Sequence, residues 1–569
     1  MTRKWCVCAH DALTLLLVAT LVFVVDFRSS PVVLDNTVMD SVWTVPIAMS
    51  IIEQGNTDLD EYRNSVTARQ FYGAETVQTH IQPYFPIGTP VLVVPFVYII
   101  SHYAAAVRSF DLYEHLKSTG PDGVTYQIEL FLASLIVALV AMIIYLIGRR
   151  SLNRAQSLLL VAIFAFGTSA WSTASRALWQ HGPSMLMLSL TLYLFLRAQD
   201  DPRWVQFAGL PLALSYVIRP TNSISIVILT ALVLFQYRQY FFRYIAWAAT
   251  VAVPFALFNL HVYGALLSPY YAANRIGASA HLGEALLGTL FSPSRGLYVF
   301  SPIFILIICG IVLKIRAGEF NKLDLALVSI PALHWIAISS FPVWWGGDSY
   351  GPRFFTDMVP YLIYFLIPVV ARVTLPRRVG DYLLLGVFAC LTLASVFTHY
   401  RGATQQAAIN WNAGREGVLT EVNAARVWDW HDPQFLRGLR PGRLEVEPQY
   451  VYLSVSESDT RDLVFRLTVR NLGDKELSWR VIEPQGIRFQ SGTSSAISSL
   501  GALEYRDLSF AVDIADQRPG VYNLGEIRFE IFSPENAVGD EKLIVVLVVV
   551  NVMPADASRS VPSDVRAER

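Results

Sequence analysis

Ile128-Glu-Leu-Phe-Leu-Ala-Ser-Leu-Ile-Val-Ala-Leu-Val-Ala-Met-Ile-Ile-Tyr-Leu-Ile147, closed by Gly148-Arg149-Arg150, holds a single charge in twenty residues. At about 1.5 Å rise per residue such a run covers a hydrocarbon layer about 30 Å thick. It therefore reads as a membrane-crossing helix with a basic end. Similar runs stand near 11–26, 155–171, 182–197, 204–219, 223–237, 244–261, 297–315, 323–340, 356–373 and 381–398. They predict an all-α polytopic membrane domain of about 11 transmembrane helices within residues 1–400.

Composition agrees with that frame. With 53% hydrophobic and 16% charged residues over 569 positions, and a mean hydropathy of +0.42, the chain is too apolar for one soluble domain. A formal net charge of -1 gives no overall field to attract nucleic acid, and membrane lipids are the expected surroundings. Cys6, Cys8, Cys309 and Cys390 lie beside the N-terminus or inside apolar runs, so no disulfide framework is expected. Cys6 and Cys8 also lack the second pair of ligands that a zinc site needs.

Basic residues set the orientation. Arg3 and Lys4, Arg149, Arg150 and Arg154, Arg197 and Arg203, Arg238 and Arg243, Lys314, Arg316 and Lys322, and Arg372, Arg377 and Arg378 fall in short loops that should face the cytoplasm. If the further apolar stretch 87–107 also crossed, Asp35 and Asp40 would share a side with Arg3 and Lys4. Pro86, Pro90, Pro95, Gly88 and His102 instead suit a re-entrant or membrane-skimming segment. The first extracytoplasmic loop then spans 27–127, with the N-terminus cytoplasmic and the C-terminus outside. A cleaved signal peptide at 11–26 would need a small-residue cleavage site, and none follows Val25. A multi-pass protein of a bacterial inner or plasma membrane is the expected setting.

After a linker at 401–439 the pattern changes to period two, as in Tyr450-Val-Tyr-Leu-Ser-Val and Leu463-Val-Phe-Arg-Leu-Thr-Val, with turn clusters such as Asn471-Leu-Gly-Asp. About seven such runs predict an antiparallel β-sandwich over 440–553, followed by a polar tail at 554–569. The order of strands and turns, with Leu-Ser-Trp479 and Pro519-Gly-Val-Tyr, resembles the immunoglobulin-like modules that follow bacterial surface enzymes. That implies an extracytoplasmic domain for binding a cell-envelope glycan or protein.

The outer loops carry the chemistry. The first holds Asp35-Asn-Thr-Val-Met-Asp40-Ser-Val-Trp43-Thr-Val-Pro-Ile-Ala48, then Gly55-Asn-Thr-Asp-Leu-Asp60-Glu-Tyr62, then Gln82-Pro-Tyr84-Phe-Pro-Ile-Gly88. A carboxylate near bilayer level is costly to desolvate and is a functional-site candidate. Later loops hold Ser175-Arg176-Ala-Leu-Trp179-Gln180-His181, Arg219-Pro-Thr-Asn222, Ser292-Pro-Ser-Arg295-Gly296 and Trp344-Trp345-Gly-Gly-Asp348-Ser-Tyr350-Gly-Pro-Arg353. Interfacial aromatics are ordinary in membrane proteins, but arginines are depleted on this side. Each arginine could simply meet a lipid headgroup or cap a helix. A convergent set would grip a phosphate through bidentate guanidinium forks.

Asp40, an aromatic at Trp43, a helical Ala48 and the proline–glycine entry at 82–88 resemble the C-type glycosyltransferases (GT-C). These multispanning enzymes take a sugar from a polyprenyl-phosphate carrier, as protein O-mannosyltransferases and the lipid A aminoarabinose transferase do. The chain departs from that pattern at Ser41, where members carry a second acid, and in having no lysine within Gln82–Gly88. The resemblance implies a polyprenyl-phosphate sugar donor, an acceptor hydroxyl, and inversion at the anomeric carbon. It makes Asp40, or alternatively Asp35, the general base. Arg353, Arg219, His181, Arg176 and Arg295 become candidate phosphate-binding residues. Trp43, Tyr84, Gln180, Trp344, Trp345 and Asp348 become candidates for holding sugar or acceptor. No metal and no cofactor is expected, and Asp58, Asp60 and Glu61 read as a solvated loop face, although such acids can bind a cation. A transporter or lipid flippase, which would bury charges in mid-helix, and a non-catalytic envelope assembly protein remain the alternatives.

Overall fold

The computed structural model describes residues 9–29, 40–69, 71–271, 281–376, 378–409, 411–412, 424–430, 433–437, 439, 444–456, 463–471, 477–491, 496–500, 504–513, 518–532 and 542–553. Two compact units emerge. The first comprises Met1–Arg63, Phe71–Ile409 and Thr420–Phe435, and the second Asn64–Gln70, Asn410–Leu419 and Leu436–Arg569. The stretch expected as a linker thus contributes Thr420–Phe435 to the first unit.

Each of the eleven apolar runs forms helix, whole or in pieces. Among the described residues five helices are long and apolar enough to cross a membrane: Gly88–Arg108, Gly123–Arg149, Arg238–Tyr263, Lys322–Ser339 and Val379–Thr404. A sixth follows if Arg353–Tyr364 and Ile367–Val373, bent by 52°, count as one span. The helices start where side chains can satisfy the orphan amides of a first turn. Asp122 accepts from the amides of Val124 and Thr125 to start Gly123–Arg149. Asn153 with Gln156 and Asn321 with Asp324 do the same for Arg154–Phe166 and Lys322–Ser339. Large apolar side chains such as Phe242, 83% exposed, stand on the outer surface, as lipid-facing residues do.

Ion pairs sort the first unit into two ends. Asp11, at the start of helix Ala9–Arg28, meets Arg149 and Arg154, and Arg150 meets Asp200. At the other end of the same helix the Arg176 guanidinium donates to the Asp26 carbonyl. Near the start of Gly123–Arg149, Glu129 accepts from the Leu178 amide, two residues from Arg176. Helix Ala9–Arg28 therefore finishes at the end where Gly123–Arg149 begins, and a single net crossing between them does not fit.

Gly88–Arg108, which lies between them, covers the segment expected to be re-entrant or membrane-skimming. It is one unbroken helix of 21 residues, a form open to a skimming segment. Pro90 falls in the first turn, where no amide bond is lost, and Pro95 is tolerated inside an apolar helix. Its first residue, Gly88, sits so near the backbone of Ile218 that an added Cβ would come within 2.6 Å of the Ile218 amide nitrogen.

The C-terminal region of the second unit is β-rich. Eleven strands are described: β1 (Ala74–Val77) and β2 (His80–Pro83) form a hairpin in the first unit, and β3 (Leu444–Glu447), β4 (Tyr450–Ser456), β5 (Leu463–Asn471), β6 (Leu477–Ile482), β7 (Ile487–Phe489), β8 (Ser498–Leu500), β9 (Tyr505–Val512), β10 (Gly520–Phe532) and β11 (Lys542–Met553) follow. The last nine make a sheet ordered β4-β11-β10-β6-β8 and another ordered β3-β5-β9-β7. Alternate side chains such as Leu467, Val469, Trp479, Phe510, Phe529 and Val548 bury one shared core, as period two requires. The arrangement is not purely antiparallel, because β4 runs parallel to β11, with Tyr450 opposite Leu547.

Candidate active site

A turn over residues 40–43 leads into the helix Thr44–Glu53, which buries Val45, Ile47, Ala48 and Met49. That turn fixes Asp40. Arg353 Nη1 lies 3.4 Å from Asp40 Oδ2, across more than three hundred residues of chain, and the Tyr72 hydroxyl donates to Asp40 Oδ1. Although the residue is 58% exposed, lost hydration at its hydroxyl, and then the Asp40 charge, push the Tyr72 phenol above its ordinary range. The Arg353 guanidinium stands 5.3 Å from the centre of the Trp179 ring and 5.7 Å from that of Phe354, a cation between two aromatic faces. Its Nε is buried with no partner among the described residues.

Arg353 is the arginine of the expected set that meets Asp40. The others are engaged elsewhere. Arg176 is buried and bonds the Asp26 carbonyl and Ser175 Oγ, which ties the loop to helix Ala9–Arg28. Arg219 Nη1 lies 3.1 Å from Asp357 Oδ1, and His181 Nδ1 donates to the same oxygen at 2.7 Å. His334, one helix away, donates from Nε2 to the Phe354 carbonyl at 2.9 Å. Arg295 is caged by the carbonyls of Ser294, Trp345 and Gly347 and by Gln434 Oε1. Burial pulls the Arg295 guanidinium below its ordinary range, against the pull of the exposed Asp348 carboxylate. Of the four arginines expected to converge, Arg353 is the one paired with the acid; Arg219 shares the Phe354 ring with it at 5.6 Å, while Arg176 and Arg295 are held by partners of their own.

The aromatic expectations shift in the same way. Trp43 is 2% exposed and packs on Tyr62 and Phe71, so it supports the turn from beneath. Trp344 and Trp345 are buried edge-to-face, and Trp344 fills the space over Gly288. None of the three presents an open face to a sugar. Tyr84 is part-exposed, with its ring 5.4 Å from Tyr270, and Gln180 Nε2 donates to the Tyr270 hydroxyl at 3.4 Å. Asp35 lies outside the described residues.

Four contributors have no role assigned in the sequence reading: Tyr72, Trp179, Asp357 and Glu129. Asp357 carried a signal, since an acid four residues past Arg353 at the head of an apolar run needs a partner. Tyr72 carried none, being an exposed aromatic in a long loop. Asp58, Asp60 and His80 bring one ligand atom each within 4.8 Å of one another, but Asp60 is already bonded by Arg63, His80 and the Ile81 amide.

Part of the framework of this site, though not the Asp40–Arg353 pair itself, falls in one segment that has relatives. Residues 124–263 match the dolichyl-phosphate-mannose-protein mannosyltransferase family. The match takes in Glu129, Trp179, His181 and Arg219 and supports the resemblance to GT-C glycosyltransferases, while covering less than half of the chain. No curated protein matches. Among solved structures the ASH / PapD-like domain of human CEP192 (PapD-like domain 7) is similar at 11% identity over 20% of this chain and 88% of that one, with a TM-score of 0.17, too low to carry an argument.

Proposed function

We propose that this integral membrane protein transfers a sugar from a polyprenyl-phosphate donor to an acceptor hydroxyl on the extracytoplasmic side, with inversion. The observation that carries the reading is the Asp40–Arg353 pair, an acid and a guanidinium held together on the outer-loop end of the unit. The family match over 124–263 supports the reaction class. Asp40 serves as base. The acceptor oxygen attacks the anomeric carbon as its proton passes to Asp40, the bond from that carbon to the phosphate oxygen breaks, and polyprenyl phosphate leaves with the charge.

In the resting structure Arg353 and Tyr72 occupy the two oxygens of Asp40. A cation beside the carboxylate lowers its basicity, so a general base gains when that cation is drawn away. Donor phosphate competes for Arg353 with stronger, bidentate geometry, so binding of donor exposes the base only when there is something to transfer. Trp179 and Phe354 keep the guanidinium in place during that exchange. Helix Gly88–Arg108 lies along the interface in this reading, where the carrier chain runs. The sandwich at 440–553 recruits an envelope glycan or protein.

Membranes holding the protein, given radiolabelled polyprenyl-phosphate hexose or pentose, test the proposal. Label moves to an acceptor with the wild-type chain and not with Asp40→Asn. Uptake of a labelled solute by liposomes without sugar transfer would instead establish a transporter.

A further inference from the structure

The site has two limbs that come from distant parts of the chain. One is the turn bearing Asp40 and Ser41, whose carbonyl accepts the Thr44 amide and starts helix Thr44–Glu53. The other is the loop Ser175–Gln180, whose Trp179 lies under Arg353. Between them stands Glu129, 4% exposed, on the second turn of Gly123–Arg149. Its Oε2 accepts the Leu178 amide at 3.3 Å. The buried Ser41 hydroxyl faces the same carboxyl without making a close hydrogen bond.

An acid buried in an apolar helix is expensive unless its contacts repay the loss of water. A methylene group would fill the space more cheaply if packing were all that was needed. Here the carboxyl touches the residue before Trp179 and faces the residue after Asp40. We infer that Glu129 is a positioning residue that sets the spacing between Asp40 and the Trp179-held Arg353.

The inference rests on the glycosyltransferase reading for its effect on rate, but its geometry can be tested without activity. In the full-length protein, hydrogen–deuterium exchange is followed in 40–47 and 175–180. Glu129→Ala should raise exchange in both segments, and Glu129→Gln, which keeps an oxygen for the Leu178 amide, should leave both close to wild type. Exchange that rises in one segment only, in neither, or equally across the whole unit overturns the assignment.

The second measurement is transfer from radiolabelled polyprenyl-phosphate hexose. Glu129→Ala should lower kcat about 10- to 100-fold with the KM for donor changed less than threefold, and Glu129→Gln should recover most of the rate. Ser41→Ala and Glu129→Ala should combine non-additively, since both act on one contact. Additive effects, or a Glu129→Gln variant as poor as Glu129→Ala, count against it. Absence of transfer by the wild type would sink the proposed function while leaving the exchange result to decide this one.

Discussion

Arg353 and Asp40 form an ion pair at 3.4 Å between two loops, with the Arg353 side chain 16% and the Asp40 side chain 32% exposed. Such a pair at a rim open to solvent contributes little stability. In the proposed transfer its value is chemical. Asp40→Asn should lower kcat by about 10²- to 10⁴-fold, and Arg353→Ala by about 10²- to 10³-fold, both without loss of folded protein. Arg353→Lys should rank between wild type and alanine, because a point charge lacks the fork. Initial rates of label transfer, alongside size-exclusion profiles, check all three.

Tyr72→Phe removes the hydroxyl bonded to Asp40 and nothing else from the loop. The expected result is a fall in kcat of roughly 10- to 100-fold, in line with the net worth of one bond to a charged group. Donor KM should hold, since Arg353 still binds phosphate. A large KM change with kcat intact would place Tyr72 in donor binding instead.

Asp357 is fully buried between Arg219 and His181. Asp357→Ala leaves the guanidinium without its counter-charge, and a loss of about 3–5 kcal/mol is expected for breaking such a pair. Replacing Asp357 and Arg219 together by apolar residues should cost less than Asp357→Ala alone. Thermal unfolding in detergent reads the difference.

Gly310 lets helix Ile307–Arg316 pass beneath the bend at Phe365, where an added Cβ would fall 1.8 Å from the Phe365 carbonyl oxygen. Backbone must move to admit even one methyl group. Gly310→Ala should cost roughly 1–3 kcal/mol, the range for overpacking, and should lower Tm although it favours helix locally. An unchanged Tm would overturn the assignment of this close approach to Gly310.

Asp60 accepts from the Ile81 amide, Arg63 and His80. Partial burial works to raise its pKa, but these partners outweigh burial and hold it below the ordinary carboxylate value. A depressed folded-state pKa stabilises the loop above the unfolded value, about 3.9, and the contribution is lost as pH falls below it through the folded value. Exchange of the Ile81 amide, compared at equal intrinsic rate, should therefore rise as pH falls below about 4, and Asp60→Asn should abolish that pH dependence.

Much of the architecture is legible in the residues. Apolar length gives the helices and period two gives the strands, because lipid and a shared sheet core each impose one repeat. Asp40 and Arg353 also stand out as charges on loops of the same side. What stays hidden is long-range pairing. Arg176, Arg219 and Arg295 look like Arg353 in their local sequence. Their fates are set by Asp26, Asp357 and Gln434, each far along the chain. Trp43 and Trp344 likewise read as surface aromatics until the packing over them is known. The prolines of Gly88–Arg108 leave the choice between a loop and a helix open, since their positions within the helix decide whether they break it.

Gln434 accepts from Arg295 and from the Gly351 amide and donates to the Ser349 carbonyl, just ahead of Arg353. A residue from beyond the last apolar helix is thus the keystone under the arginine loop. A shortened version of the protein that stops where hydropathy drops would lack this support and, on the proposed function, should lose transfer. The smallest portion worth purifying for enzymology extends through Phe435.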